Sequence, residues 1–414
     1  MTAALRTEVR EWIAANWAQD ITVREWWRRL ADAGLTSPTW PTPYGRGASM
    51  AEARAITEEL AAAATIAPPM GHVGMRLAGP TLLQHGDAAL QQRYLPPLLR
   101  GEEAWCQLFS EPGAGSDLPG LSARAVRDGD TWFVSGQKVW NSAADTADHG
   151  MLLARTDPDA PKREGISFFA FEMDQPGVEV RPLRMMTGEA HFCEVFLDEA
   201  RIAGSDLVGD VNRGWTVART VLALERSTAT EVAARGLRVV PSGERSGQLD
   251  RVVGDVLADD AEAAKSYTVS ALRSRKMIEL ARERGLTDDA VVRQALARYF
   301  TLTEVHRWNQ GRARAEARSG QRSAVGAVSK IALGRICNLS REVSFGMLGA
   351  SALLAGADAP EGGELLLIGL SSPGVTIGAG TDEIQRNTIG EQVLGLPRDP
   401  AGDIDPNARP KSER

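Results

Sequence analysis

The sequence predicts an α+β, mostly helical fold in the order helical, β, helical, and three observations predict it. Capped amphipathic runs fill about the first hundred residues. Short runs rich in β-branched and aromatic residues, broken by turn signals, occupy about Trp105 to Ile202. Helical periodicity then returns and continues to about Val393. At 414 residues the chain is too long for one ordinary domain, so two or three packed parts are expected. The segments read as 1–104, helical; 105–203, an antiparallel β-domain; 204–397, helical; and 398–414, a polar tail suited to disorder.

In the first segment a Thr22–Glu25 box opens TVREWWRRLADAGL and a Ser49–Glu52 box opens the Ala-rich run after it, each supplying acceptors for orphan N–H groups. SPTWPTPYGRG between them is loop. The β-segment contains ARAVR and TWFVSG around an Asp128-Gly129 turn, then GMLLART, ISFFAFEM and EVFLDEARI. After GSDLVGDVNRG the run GWTVARTVLALERSTATEVAARGLRVV is helical, followed by three more long helical stretches. PSGERSGQ at 241–248 and ADAPEGGE at 357–364 connect them. No internal repeat is visible.

Composition narrows the function classes. There are 54 acidic and 47 basic side chains for a net charge of −7, and the basic residues are dispersed, which disfavours nucleic acid as a partner. Cys106, Cys193 and Cys337 lie far apart without a CxxC pair, so reduced, buried thiols in a cytoplasmic protein are expected and a metal site is not. Charges at Arg6, Glu8 and Arg10 interrupt any apolar leader, and no uncharged run is long enough to span a bilayer; neither a signal peptide nor membrane insertion is expected.

The most specific run is LFSEPGAGSDLPGL, Leu108 to Leu121. A Gly-rich loop with Ser and Asp is by itself usually a turn, yet Gly113 and Gly115 lack a Cβ and let backbone N–H groups approach an anion or a ring closely. Further on, SGQKVWNSAADTADHGMLLART places Trp140 and Ser142 at the end of a β-run. PGVEVRPLRMMTGEAHFCEVFLDEARI and TDEIQRNTIGEQVLGLPR follow in order. With these runs the sequence resembles the acyl-CoA dehydrogenase family from its N-terminal helices to about Pro397. The resemblance implies an N-terminal helical domain, a middle β-domain and a C-terminal four-helix bundle, with FAD held where domains and subunits meet. It places the flavin loop on Leu108, Phe109, Ser110, Gly115 and Ser116, with Ser116 also near the CoA arm. Trp140, Asn141 and Ser142 fall beside the ring, Thr381 and Glu383 among the cofactor contacts. Taken alone, Trp140 is as readily a core residue.

The implied reaction is α,β-dehydrogenation: a carboxylate takes the α-proton of the thioester while the β-carbon delivers hydride to flavin N5. Such a proton is only weakly acidic, so the site needs a desolvated base and donors on the thioester oxygen. In GAGTDEIQRN, Gly378 to Asn387, Ala379 stands where many family members carry the glutamate, though its backbone N–H can still serve the thioester carbonyl. The members resembling isovaleryl-CoA and long-chain dehydrogenases read GAGT or GGT here and carry the base in an LER sequence on a helix. This chain has LALERSTA, which puts the base at Glu225, with Leu222 and Arg226 on the substrate side. Glu225 has Val221, Leu222, Thr228 and Ala229 at helical spacing and no basic residue on its own face, so a raised pKa is expected. Without the resemblance, pairing with a basic residue from another helix is the commoner fate of such a glutamate.

Two family features are missing. The Arg-x-x-Phe-Gly run that reaches a neighbour's FAD is replaced by ERSGQLD, Glu244 to Asp250, and the Gly-Gly-x-Gly turn by MLGASALLAG, Met347 to Gly356. Both serve the partner's flavin, so the chain resembles the bacterial steroid-side-chain dehydrogenases that pair two different family members, and an α₂β₂ assembly with a second acyl-CoA dehydrogenase subunit is expected. A homo-oligomer in which Arg307, Arg312 and Arg314 take over the pyrophosphate contacts is the alternative. The expected substrate is an acyl-CoA and the expected electron acceptor an electron-transfer flavoprotein. Two rival readings stay open: a non-catalytic partner subunit, and an acyl-CoA oxidase or flavin monooxygenase relative. The Ala- and Gly-rich segment 61–83 favours a bulky or steroid acyl group modestly, because small residues also pack helices closely.

Overall fold

The structure, a computed structural model, describes residues 2–69, 73–228, 237–259, 274–318 and 325–397. The polar tail from 398, the stretch 229–236 of the Glu225 helical run and Met70 to His72 of the 61–83 segment lie outside the described residues. The chain packs as two compact units, Met1–Lys265 and Ser266–Arg414. Among the described residues, no helix is long and apolar enough to cross a membrane, and no group of acidic, His or Cys side chains is arranged to hold a metal.

The first unit begins with helices α1 (Thr2–Asn16), α2 (Val23–Asp32) and α3 (Met50–Ala62), then a π-helical turn (Gly74–Ala78) running into α4 (Gly79–His85), and α5 (Ala88–Leu99). Ser49 forms a reciprocal cap: its hydroxyl accepts from the Glu52 N–H and the Glu52 carboxylate accepts from the Ser49 N–H. At Thr22 only half the expected box forms. Its hydroxyl accepts from the Glu25 N–H at 3.2 Å, but the Glu25 carboxylate bonds Arg28 and Arg29 instead, because two guanidinium groups one turn on offer stronger, charge-assisted donors.

Strands β1 (Trp105–Leu108), β2 (Arg124–Asp128), β3 (Thr131–Ser142), β4 (His149–Arg155), β5 (Ile166–Glu172), β6 (Val178–Leu183) and β7 (Phe192–Ala203) form one sheet in the order β1-β4-β2-β3-β7-β6, with β5 paired to β4. Most pairings are antiparallel, including the β2–β3 hairpin at Gly129; β1 runs parallel to β4. Strands β4 and β5 are buried on both faces. Met151, Leu153, Phe168 and Ala170 enter the core shared with α4 and α5, and Leu152, Ala154, Phe169 and Phe171 enter the core of the sheet itself. That is why GMLLART and ISFFAFEM read as continuous apolar runs rather than alternating ones.

Helix α6 (Gly214–Thr228) follows the sheet, and α7 (Val253–Ala258) completes the described part of this unit. Gly214, Val217, Ala218 and Val221 are buried, giving α6 an apolar stripe that packs on β5, α4 and the π-helical turn. In the second unit α8 (Ser274–Glu283), α9 (Ala290–Arg318), α10 (Val325–Leu348) and α11 (Glu364–Ile377) enclose one apolar core containing Met277, Tyr299, Val343 and Ile368. These four helices share that core without α6: the run from Gly214, expected to open a helical bundle spanning 204–397, packs in the first unit instead, because its apolar stripe is covered by β5 and α4; α12 (Asp382–Thr388) follows α11.

Candidate active site

The loop after β1 is built around a buried ion pair absent from the sequence reading. Lys138 is fully buried on β3 and reaches Glu111 Oε1 at 2.8 Å and the Phe109 carbonyl at 3.2 Å. Glu111 also accepts from the Ser122 N–H and hydroxyl and the Ala123 N–H. Burial alone would raise its carboxyl pKa. The Lys138 ammonium and the Ser122 donors outweigh that and hold it below the ordinary value. Arg155, at the end of β4, ties down the far side of the loop by donating to the Pro119 and Leu121 carbonyls. The signal that could have found the pair is a lysine in the middle of a β-run, directly before Val139 and Trp140; a lysine buried there needs a counter-charge.

Between these anchors the loop tip is open. Leu108 and Phe109 turn their side chains into the two cores, Phe109 edge-on to Phe168 at 5.9 Å, so each has only its backbone to offer a cofactor. The Ser110 carbonyl is taken by the Val139 N–H at 2.9 Å. Gly115 and Ser116 are exposed. The N–H groups of Gly113, Gly115 and Ser116 make no hydrogen bond among the described residues, and a Cβ added to either glycine would meet open space.

Trp140 is not a core residue: its side chain is 58% exposed, edge-on to Phe192 at 5.8 Å. It sits in a bulge, where β3 advances from Lys138 to Asn141 while β7 moves only from Val195 to Cys193, and its φ of 63° is left-handed. A bulky residue persists there only where its surroundings over-determine it, a condition met by Lys138 on one side and Asn141 on the other. Asn141 is buried, donates to the Gln107 carbonyl at 2.6 Å, and has a side-chain oxygen with no partner among the described residues. Ser142 is exposed at the strand end. An exposed aromatic face, free N–H groups on an open glycine loop and an unpartnered buried acceptor together fit a planar ring with an anionic tail, and so fit the flavin.

Glu225 lies in the last turn of α6, in line with Ala218 and Val221 of the buried stripe, and is partly exposed. Leu222, also partly buried, packs on the same core; the Arg226 side chain lies outside the described residues. Two contacts fix this helix. A Cβ on Gly214 would come within 2.4 Å of the Ser167 backbone and 2.5 Å of Phe168, so only glycine lets α6 start against β5. Phe168 in turn touches Phe109 of the loop. Thr220 is hydrogen-bonded to His85 Nε2 of α4 at 2.8 Å, and burial lowers the His85 pKa.

In the second unit Ala379 is exposed at the turn between α11 and α12, with φ of 54°. Its carbonyl accepts from Gln385 Nε2 at 2.9 Å. Thr381 caps α12 by accepting from the Ile384 N–H at 3.3 Å, and Glu383 is an exposed carboxylate paired with Arg386 at 3.0 Å. One substrate-side expectation changes. Gly74 and Gly79 are packing glycines: an added Cβ would come within 2.7 Å of Leu98 and 2.2 Å of the Trp40 ring, so neither leaves room for an acyl group. ERSGQLD is also committed within the first unit, where Glu244 and Asp250 both bind Arg24 of α2.

Comparison with known proteins agrees with this architecture. The acyl-CoA dehydrogenase N-terminal, middle and C-terminal domain families match residues 1–102, 106–200 and 260–394. The chain is 34% identical to the acyl-CoA dehydrogenase IpdE1 of Mycobacterium tuberculosis, covering 96% of this chain and 98% of that protein. It is 48% identical to acyl-CoA dehydrogenase FadE34 of the same organism over 61% of this chain, a match spanning only 35% of that longer relative. Among solved structures, the Tcur3481-Tcur3483 steroid ACAD superposes with TM-score 0.69 at 26% identity over 96% of this chain and 98% of that one. The ChsE4-ChsE5 complex of M. tuberculosis superposes with TM-score 0.66 at 25% identity, with the same two coverages. With all three domain families matched in order and a full-length relative at this identity, the chain belongs to the acyl-CoA dehydrogenase family.

Proposed function

We propose that the chain carries out FAD-dependent α,β-dehydrogenation of an acyl-CoA thioester bearing a bulky, steroid side-chain acyl group, with Glu225 as the proton acceptor. FAD, when bound, supplies the two-electron acceptor for the hydride leaving the β-carbon. The loop Leu108–Ser116 and the strand end Trp140–Ser142 would hold that group, with Trp140 offering it an aromatic face. Thr381 and Glu383 join its contacts, and Ser116 and Arg226 serve the CoA side. Glu225 takes the α-proton at its carboxylate, with Leu222 excluding water beside it. The Ala379 N–H donates to the thioester oxygen, where negative charge develops as the proton leaves. The observation supporting this reading most directly is the fixing of α6: Gly214 seats it on β5, and Phe168 joins that seat to Phe109 of the glycine loop.

The steroid assignment rests on the Tcur3481-Tcur3483 relative, since the glycines of segment 61–83 are used for packing. An α₂β₂ assembly with a second family member, passing electrons to an electron-transfer flavoprotein, accompanies it; the complex formed by the ChsE4-ChsE5 relative supports the pairing. Glu225→Gln tests the central claim. It is expected to keep its flavin absorbance, to lose about 10²–10⁴-fold in turnover, and to stop exchanging the substrate α-proton with deuterated solvent. Undiminished exchange would assign Glu225 a structural role and favour the non-catalytic-partner reading.

A further inference from the structure

We infer that Lys330 is a positioning residue for the thioester oxygen, acting through the Ala379 backbone; the inference rests on the reading above. Lys330 stands on α10, and its ammonium lies 2.9 Å from the Thr376 carbonyl and 2.9 Å from Asp382 Oδ1. The side chains of both charged partners are nearly buried, at 11% and 13% exposure. These contacts fall on either side of the four residues Gly378 to Thr381: Thr376 is in the last turn of α11 and Asp382 opens α12. A last-turn helix carbonyl lacks an intrahelical donor, and a cation there is favoured by the helix dipole. Lys330 therefore meets a need of α11 and of α12 with one group, and in doing so fixes the distance between their ends.

The turn needs that restraint. Ala379 is held left-handed, a conformation that is unfavourable for a residue with a Cβ and that survives only where its flanks dictate it. Gln385 holds the Ala379 carbonyl from one side, and Lys330 holds the helix ends from the other. Gly334, one turn after Lys330, suits this approach of α10, for an added Cβ would sit 3.2 Å from Thr376 Cγ2, tighter than ordinary packing. Releasing the clamp lets Ala379 relax and turns its N–H away from the developing oxyanion, where alignment decides how much the donor contributes.

The test uses the flavin-loaded enzyme with whatever partner it requires. The probe is 3-thiaoctanoyl-CoA labelled with carbon-13 at the thioester carbonyl, whose infrared band falls in frequency when the oxygen accepts a hydrogen bond. Wild type is expected to shift the band. Lys330→Met is expected to lose most of that shift, and its kcat toward turned-over acyl-CoA esters to fall about 10–100-fold with little change in KM. Lys330→Gln, which keeps one donor without the charge, should lose less, and it is scored identically should the Met variant not fold. Variants with the wild-type shift and kcat overturn the positioning role alone. A wild type that binds the probe without any shift sinks the Ala379 donor reading itself, and this inference with it.

Discussion

Lys138 shows how a single residue can carry more of a site than its motif suggests. Removing only its charge, as in Lys138→Met, leaves Glu111 ionised and buried, which costs about 3–5 kcal/mol. Removing both charges with isosteres, Glu111→Gln with Lys138→Met, should restore much of that stability while leaving the Trp140 bulge less constrained. The expected outcome is a thermal midpoint recovered in the double variant, with flavin retention and the near-ultraviolet tryptophan signal still reduced. A double variant that regains both would reduce the pair to a packing feature. At this scale the sequence was legible where chemistry is local. Trp140 and the glycine loop stand in recognisable runs, and the exposed ring removes the core reading of Trp140. Glu111 and Lys138 are 27 residues apart, and only the seating of the loop on β3 makes them partners, which no spacing rule expresses.

At the scale of elements, periodicity placed the helices and the continuous apolar strands, because both patterns record which faces are covered. It did not reveal that β1 runs parallel to β4, since strand direction leaves no trace in alternation. Nor did it reveal the half-formed cap at Thr22, where the competition was between a backbone N–H and two arginines. Charge pairing between helices was equally hidden, and it leads to a pH prediction. Arg10 and Arg6 hold Glu59, bridging α1 to α3, at a pKa of about 2 against an ordinary 4.5. Arg28 and Arg29 hold Glu25 at about 2. Both folded values are depressed, so the stabilisation is fully present above about pH 4.5 and is lost as pH falls through about 2. Urea midpoints measured across that window should decline in wild type and decline less steeply in Glu59→Gln. The contribution is modest because Arg10 is largely exposed and screened; equal slopes in the two proteins would show that α1 and α3 are joined by packing alone.

For the whole molecule, the question is whether one kind of chain makes a complete enzyme. The segment standing where the Arg-x-x-Phe-Gly run is expected instead ties Arg24 through Glu244 and Asp250, with Val23 and Arg24 donating to the Arg251 and Leu249 carbonyls. It is thus a brace for α2 inside the first unit, and its two acids are unsuited to a pyrophosphate, which they would repel. The residues proposed to hold the flavin ring, Trp140 to Ser142 and the glycine loop, are present in the same chain. A molecule that keeps its own cradle but lacks an arm for a neighbour's cofactor is expected to gain from a different family member that supplies one. Expressed alone, the chain should be flavin-poor or insoluble. Coexpressed with a neighbouring paralogue, it should yield a heterotetramer carrying one FAD per heterodimer, measured by flavin absorbance against protein mass in solution. Introducing arginine at Glu244 should release α2 and lower stability without creating a second flavin site, because the segment's backbone is already committed. A yellow, active homodimer of this chain with one FAD per subunit would end the heteromer proposal and move attention to Arg307 and Arg312, exposed on α9, as the pyrophosphate contacts of a symmetric pair.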